Sequence, residues 1–84
     1  MHCVYVIQSE RTKKLYFGYT TDIQKRIVSH NARMNTATKS GAPWKVVYCE
    51  IYRSAKDARE RESQLKHYGN ARTHLKRRIG NSLL

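Results

Sequence analysis

The stretch Leu15–Asn31, LYFGYTTDIQKRIVSHN, decides the fold. It reads as a strand, a glycine turn and an amphipathic helix. Leu15-Tyr16-Phe17 is a short aromatic and apolar run of the kind that fits a pleated surface. Gly18 interrupts it where the backbone must turn or approach something closely. Thr20, Thr21 and Asp22 supply a helix start, and Thr21-x-x-Gln24 fits a capping box. Ile23 and Ile27, four apart, then give the helix one apolar stripe. At about 100° per residue, Arg26, His30 and Met34 fall within roughly 60° of Ile23, on the side facing the sheet. An arginine and a histidine one turn apart, beside a buried stripe and a strand tyrosine, are unusual on a plain surface helix. The plainer reading is an arginine snorkelling at the core edge and a half-buried histidine.

Working outward, Cys3-Val4-Tyr5-Val6-Ile7 is a continuous apolar strand suited to the centre of a sheet. The polar turn Ser9–Lys14 leads straight back into Leu15-Tyr16-Phe17, so the two strands are expected to form an antiparallel hairpin. Tyr5 then comes close to Tyr16, which is either cross-strand packing or a pair of hydroxyls opening onto a cleft. After the first helix, Arg33–Pro43 is a loop. It carries Arg33 and Lys39 and is followed by Trp44 and Lys45, a basic stretch suited to phosphate contact and base stacking. The plainer reading of Trp44 is a cap on the core. Val46–Tyr52 is a third strand. Ser54 opens a second helix with a weak capping box over Ser54-Ala55-Lys56-Asp57, and the helix runs to about His67 with Gly69 as its stop. Asn70 is expected to cap a last helix, Ala71–Ile79, with Leu75 and Ile79 inward and Arg72, Lys76, Arg77 and Arg78 covering the rest. The element order is therefore β-β-α-β-α-α.

The chain of 84 residues carries 17 Lys and Arg against 6 Asp and Glu, a formal charge of +11. That length holds one domain, and that balance asks for a polyanionic partner, nucleic acid before an anionic membrane surface. No apolar run approaches the ~20 residues that span a bilayer, and no signal peptide opens the sequence, so the expected setting is cytoplasmic. Cys3 and Cys49 lack any zinc-site spacing and are expected to be reduced core thiols, a cross-sheet disulfide being the alternative. On the second helix the inward stripe is Ala58, Glu62 and Leu65, so Glu62 takes a place the pattern reserves for an apolar side chain. Asp22 and Asp57 are accounted for as first-turn helix residues and Glu10 lies in a turn. Glu62 is left either as the ion-pair partner of Arg26 or as a ligand to a divalent cation of the magnesium type.

Val4-Tyr5-Val6, then Tyr16-Phe17-Gly18, then Arg26 and Glu62 resemble the GIY-YIG nuclease domain. The likeness is strongest to its small standalone bacterial members, through GYTTDIQKRIVSHN, PWKVVY and ARERESQLKHY, and it covers Val4 to about Arg78. The first motif lacks its glycine, and Phe17 replaces Ile or Val in the second. The resemblance implies one α+β domain over residues 1–84, a three-stranded antiparallel sheet flanked by helices in a sandwich-like arrangement. It also implies a DNA endonuclease using a single Mg2+ or Mn2+. Carried onto this sequence, Glu62 is the metal ligand and Arg26 neutralises charge on the phosphate. Tyr5 and Tyr16 line the site, and His30 matches a site position held by Tyr or His in relatives. Tyr19 stands where the excision-repair member has lysine. Tyr5 and His30 are rivals for the general base, since a free phenol with pKa about 10 is a poor base at neutral pH and an imidazole is not. Nucleic-acid contacts are expected from Tyr19, Arg33, Lys39, Trp44, Lys45, Lys66, Arg72 and Lys76. The competing classes are a non-catalytic nucleic-acid-binding module of the same fold and a ribosome-associated basic protein. A monomer or weak homodimer is expected, with room for a protein partner.

Overall fold

A computed structural model describes the whole chain, Met1–Leu84. Three strands, β1 (His2–Ser9), β2 (Leu15–Thr20) and β3 (Trp44–Tyr52), form one antiparallel sheet in the order β2-β1-β3. Helix α1 (Ile23–Asn31) joins β2 to β3 through a loop with a single 3-10 turn at Lys39–Gly41. Helices α2 (Ala55–His67) and α3 (Gly69–Arg78) follow β3. The α+β class, the three strands and the element order match the expectation.

The sheet is covered on both faces, which explains why its central strand is an unbroken apolar run. Val4 and Val6 point to one face and pack with Phe17 under Ala58 and Leu65 of α2 and Leu75 and Ile79 at α3. Cys3, Tyr5 and Ile7 point to the other, against Ala42 and Trp44, with Tyr16, Ile23 and Ile27 beside them. Both faces depend on register, because a one-residue slip would exchange the two sets. In that register Tyr5 lies between Gly18 of β2 and Cys49 of β3.

Several local expectations need correction. Asp22, not Thr21, is the N-cap of α1: its carboxylate accepts the Lys25 amide at 3.1 Å, while Thr20 binds the Asp22 amide. Asp22 is thus a cap rather than a first-turn residue. Met34 lies beyond α1 and is 77% exposed, so it does not extend the inward stripe. No glycine stop separates the last two helices. Tyr68 ends α2 and begins α3, and Gly69, not Ala71, is the first residue of α3. Ser54 caps α2 as expected, accepting the Asp57 amide at 3.3 Å.

Cys3 and Cys49 are not separate thiols but are joined as a disulfide. Cys49 pairs across the sheet with Tyr5, and Cys3 with Ile51, so the cysteines are diagonal neighbours on one face. Their Cα atoms are 6.4 Å apart, within bridging reach.

Candidate active site

Tyr5 leaves the middle of β1 directly opposite Gly18. A Cβ at position 18 would run into the Tyr5 ring and hydroxyl. The missing side chain is what lets the phenol lie over β2, an edge strand, which gives Gly18 its reason.

The Tyr5 hydroxyl shares a 2.9 Å hydrogen bond with His30 Nε2, and His30 Nδ1 lies 2.7 Å from Thr38 Oγ1. Tyr5, His30 and Thr38 are all fully buried. Thr38 turns its own hydroxyl toward the Asn35 carbonyl at 3.5 Å. In the tautomer that carries its proton on Nδ1, Thr38 Oγ1 accepts from His30 Nδ1–H and a bare Nε2 faces the phenol. Tyr5 and Tyr16 both meet the imidazole edge-on, with ring centres 5.9 and 5.3 Å away.

The loop that carries Thr38 is held from several sides. Trp44 Nε1 donates to the Thr38 carbonyl at 2.8 Å, and the Ser9 hydroxyl donates to the Gly41 carbonyl. The Asn31 side chain bonds the Trp44 backbone on both sides, at 2.6 and 3.1 Å, fastening the end of α1 to the start of β3.

Burial pushes the Tyr5 phenol up to about 12, against the lowering influence of Arg26 and with smaller raising effects from Tyr16 and Glu62. Burial also lowers His30, and Arg26 lowers it further. At neutral pH the phenol is therefore protonated and the imidazole neutral.

Arg26, Tyr16 and Glu62 are half-buried and form the solvent side of this group. The Arg26–Glu62 ion pair, one of the two roles left open for Glu62, is not formed. Glu62 instead meets Lys66, with Nζ 3.2 Å from Oε2. Lys66 Nζ also lies 5.6 Å from the centre of the Tyr16 ring, and the Arg59 guanidinium lies 5.3 Å from that of Tyr19. The Tyr19 hydroxyl is itself bonded to His2 Nδ1 at 2.7 Å. Helix α2 thus runs along β2 with its charged stripe beside the tyrosines.

A second acid, Glu50 of β3, fixes that placement, and sequence reasoning missed it. Its carboxylate takes three hydrogen bonds from the Arg61 guanidinium, at 3.0, 3.1 and 3.2 Å, and one each from the Tyr48 and Tyr52 hydroxyls. Burial works to raise the Glu50 carboxyl, but these bonds outweigh it and hold it below the ordinary range. Arg61 precedes Glu62, so the clamp sets the helix that presents the acid. Thr38 was missed for a similar reason: nothing in ATKSG marks a histidine partner.

The expected nucleic-acid contacts divide. Arg33, Lys39 and Lys76 are exposed, as is Lys45, which pairs with Glu10 at 3.2 Å. Trp44 is a core residue, 6% exposed, and does not offer its ring for stacking. Arg72 donates to the carbonyls of Leu65 and Lys66, both at 2.9 Å, and serves as a cap on α2.

No group of three or more His, Cys, Asp and Glu side chains is gathered that could hold a metal ion by protein ligands alone. A lone carboxylate fits a magnesium-type cation, which keeps its waters and takes phosphate oxygens from substrate, and does not fit zinc.

The GIY-YIG catalytic domain family matches residues 1–77. A UPF0213 protein of Staphylococcus haemolyticus is 38% identical over 66 residues, covering 77% of this chain and 79% of that protein. A UPF0213 protein of Halobacterium salinarum is 38% identical over 73 residues, covering 84% and 92%. One of Haloquadratum walsbyi is 34% identical over 68 residues, covering 80% and 75%. No solved structure matches the chain.

Proposed function

The chain belongs to the GIY-YIG catalytic domain family, and from that premise we propose that it is an endonuclease that hydrolyses DNA phosphodiester bonds with the help of one divalent cation. The family is a nuclease superfamily; the substrate, the cation and the residue roles are the parts proposed. The observation that carries the proposal is the 2.9 Å bond between the Tyr5 hydroxyl and His30 Nε2, beside Arg26 and Glu62.

Tyr5 and His30 act in series in this scheme rather than as rivals. A phenol held up at about 12 by burial does not ionise unaided at neutral pH. The bare Nε2 beside it is the place for its proton, and a neutral imidazole is ready to take it. The phenolate would then draw a proton from the attacking water. Arg26, always charged, lowers both groups and would meet two phosphate oxygens at once. Tyr16, at the open side, orients the phosphate or the water. Glu62 would hold the cation, which when bound offsets charge on the phosphate and on the departing oxygen. The structure has no enclosed pocket, so a strand would lie on open surface across β2 and α2.

The full burial of Tyr5 favours a second reading, a binding module that keeps the fold without cutting. One experiment separates the two. Nicking of supercoiled and single-stranded DNA is followed with Mg2+, with Mn2+ and with EDTA, for the wild-type chain and for Glu62→Ala. Cutting that needs the cation and Glu62 is expected. Binding with no cutting under any divalent cation would leave only the module.

A further inference from the structure

We propose that Lys66 is an exchangeable counter-ion, neutralising Glu62 while that carboxylate is free and moving to a nucleic-acid phosphate when a divalent cation takes the carboxylate. The proposal rests on the reading of Glu62 given above and adds a state to it.

The two partners of this ion pair are not equally held. The Lys66 side chain is 41% exposed and that of Glu62 22%. The acid sits on a helix clamped by Glu50 and Arg61, whereas the ammonium rides on a flexible four-carbon stem. The lysine is therefore the partner that moves. It also has somewhere to rest, because its Nζ already lies 5.6 Å from the centre of the Tyr16 ring, whose face attracts cations.

A divalent cation and an ammonium cannot share the carboxylate without strong mutual repulsion. Loading the site must then release Lys66, beside the tyrosine that lines it. Arg59 gives the contrast. It lies on the same stripe of α2 as Glu62 and Lys66, within roughly 60° around the helix. Yet its guanidinium has no carboxylate partner and rests over Tyr19. Arg59 is open to phosphate in every state, Lys66 only after the exchange. By thermodynamic reciprocity, a phosphate that draws Lys66 away also strengthens cation binding at Glu62.

The test compares the wild-type chain with Lys66→Gln, Lys66→Arg, Arg59→Ala and Glu62→Gln, after melting curves show that each is folded. Mn2+ binding without DNA is measured by the electron-spin signal of the free ion. Lys66→Gln is expected to bind Mn2+ about threefold or more tightly, as the competing positive charge is gone. Lys66→Arg should stay near wild type, and Glu62→Gln should lose the site. Binding of a fluorescent single-stranded oligonucleotide is then measured in EDTA and in Ca2+, an oxygen-ligand cation of equal charge. In EDTA, Lys66→Gln leaves Glu62 a bare carboxylate and should bind more weakly than wild type, whereas Glu62→Gln frees Lys66 for phosphate and should bind several-fold more tightly. Ca2+ should strengthen binding by wild type but not by Glu62→Gln, and Arg59→Ala should bind more weakly in both buffers. Unchanged Mn2+ affinity in Lys66→Gln, or no gain in DNA binding by Glu62→Gln in EDTA, overturns the exchange. If Glu62→Gln still binds Mn2+ as wild type does, the metal role of Glu62 falls with it. If only Lys66→Gln behaves like wild type, the exchange alone falls.

Discussion

A buried phenol gives up its proton only to a neighbour able to receive it, and Tyr5 has one such neighbour in His30. Replacing Tyr5 by Phe should lower kcat by about 10²- to 10⁴-fold, the usual worth of general acid–base catalysis, with little change in DNA affinity. His30→Phe should do the same. Thr38→Val removes the acceptor for Nδ1–H and frees the tautomer, so it should cost less than either, and Thr38→Ser should restore activity. The two groups also leave a mark on stability. Burial lowers His30 in the folded chain, so between that lowered value and the ordinary 6.5 the unfolded chain binds more protons. Stability then falls as pH drops below about 6.5 and levels off below the folded value. Tyr5, held up at about 12, has the opposite sense: its contribution is complete below the ordinary value of 10.0 and is lost as pH rises toward 12. Urea unfolding of wild type and His30→Phe from pH 5 to 8 checks the acid limb, which the variant should lack.

At the scale of elements, the candidate site takes its shape from a gap in β2 and a fixed address for α2. Gly18→Ala closes the gap: the new methyl collides with the Tyr5 ring and hydroxyl and must displace them. Overpacking of this kind costs about 1–3 kcal/mol, and here it should also break the bond to His30, so kcat should fall with thermal stability. The address comes from Glu50 and Arg61, whose side chains are 16% and 26% exposed. Arg61→Ala strands a largely buried carboxylate and should cost about 3 kcal/mol in urea unfolding. It should also weaken Mn2+ binding at Glu62 by loosening α2 against β3. The strands, the helices and their order were legible because hydrophobic period and turn chemistry are local signals. Arg26, His30 and Glu62 stood out because each breaks or flanks an apolar pattern, and Tyr5 and Tyr16 because their motifs resemble those of the family. Thr38 and Glu50 did not, because each takes its meaning from a partner far along the chain: Thr38 from the packing of its loop against α1, Glu50 from Arg61 brought over by α2. The link between Cys3 and Cys49 was hidden in the same way, since only the β1–β3 register makes them neighbours.

Over the whole molecule, a charge of +11 on 84 residues guarantees attraction to any polyanion but does not say which cations touch it. The fold sorts them. Arg61 is spent on Glu50, Lys45 on Glu10 and Arg72 on the end of α2, while Arg33, Lys39, Arg59 and Lys76 stand in solvent without a carboxylate partner. Binding to single-stranded DNA should weaken steeply with salt, because each phosphate neutralised releases about 0.7 of a counter-ion. The slope of log K against log salt therefore counts the cations in contact. Arg72→Ala and Lys76→Ala remove the same formal charge from the same helix, and the structure separates them. Arg72→Ala exposes the Leu65 and Lys66 carbonyls and should lower the melting temperature while leaving the slope as it was. Lys76→Ala should leave the melting temperature alone and, if α3 follows the strand, reduce the slope by about 0.7. Equal changes in slope would mean that total charge alone governs binding. An unchanged slope in both would confine the DNA track to α2, the 33–45 loop and the β2 edge, beside Tyr5 and Glu62.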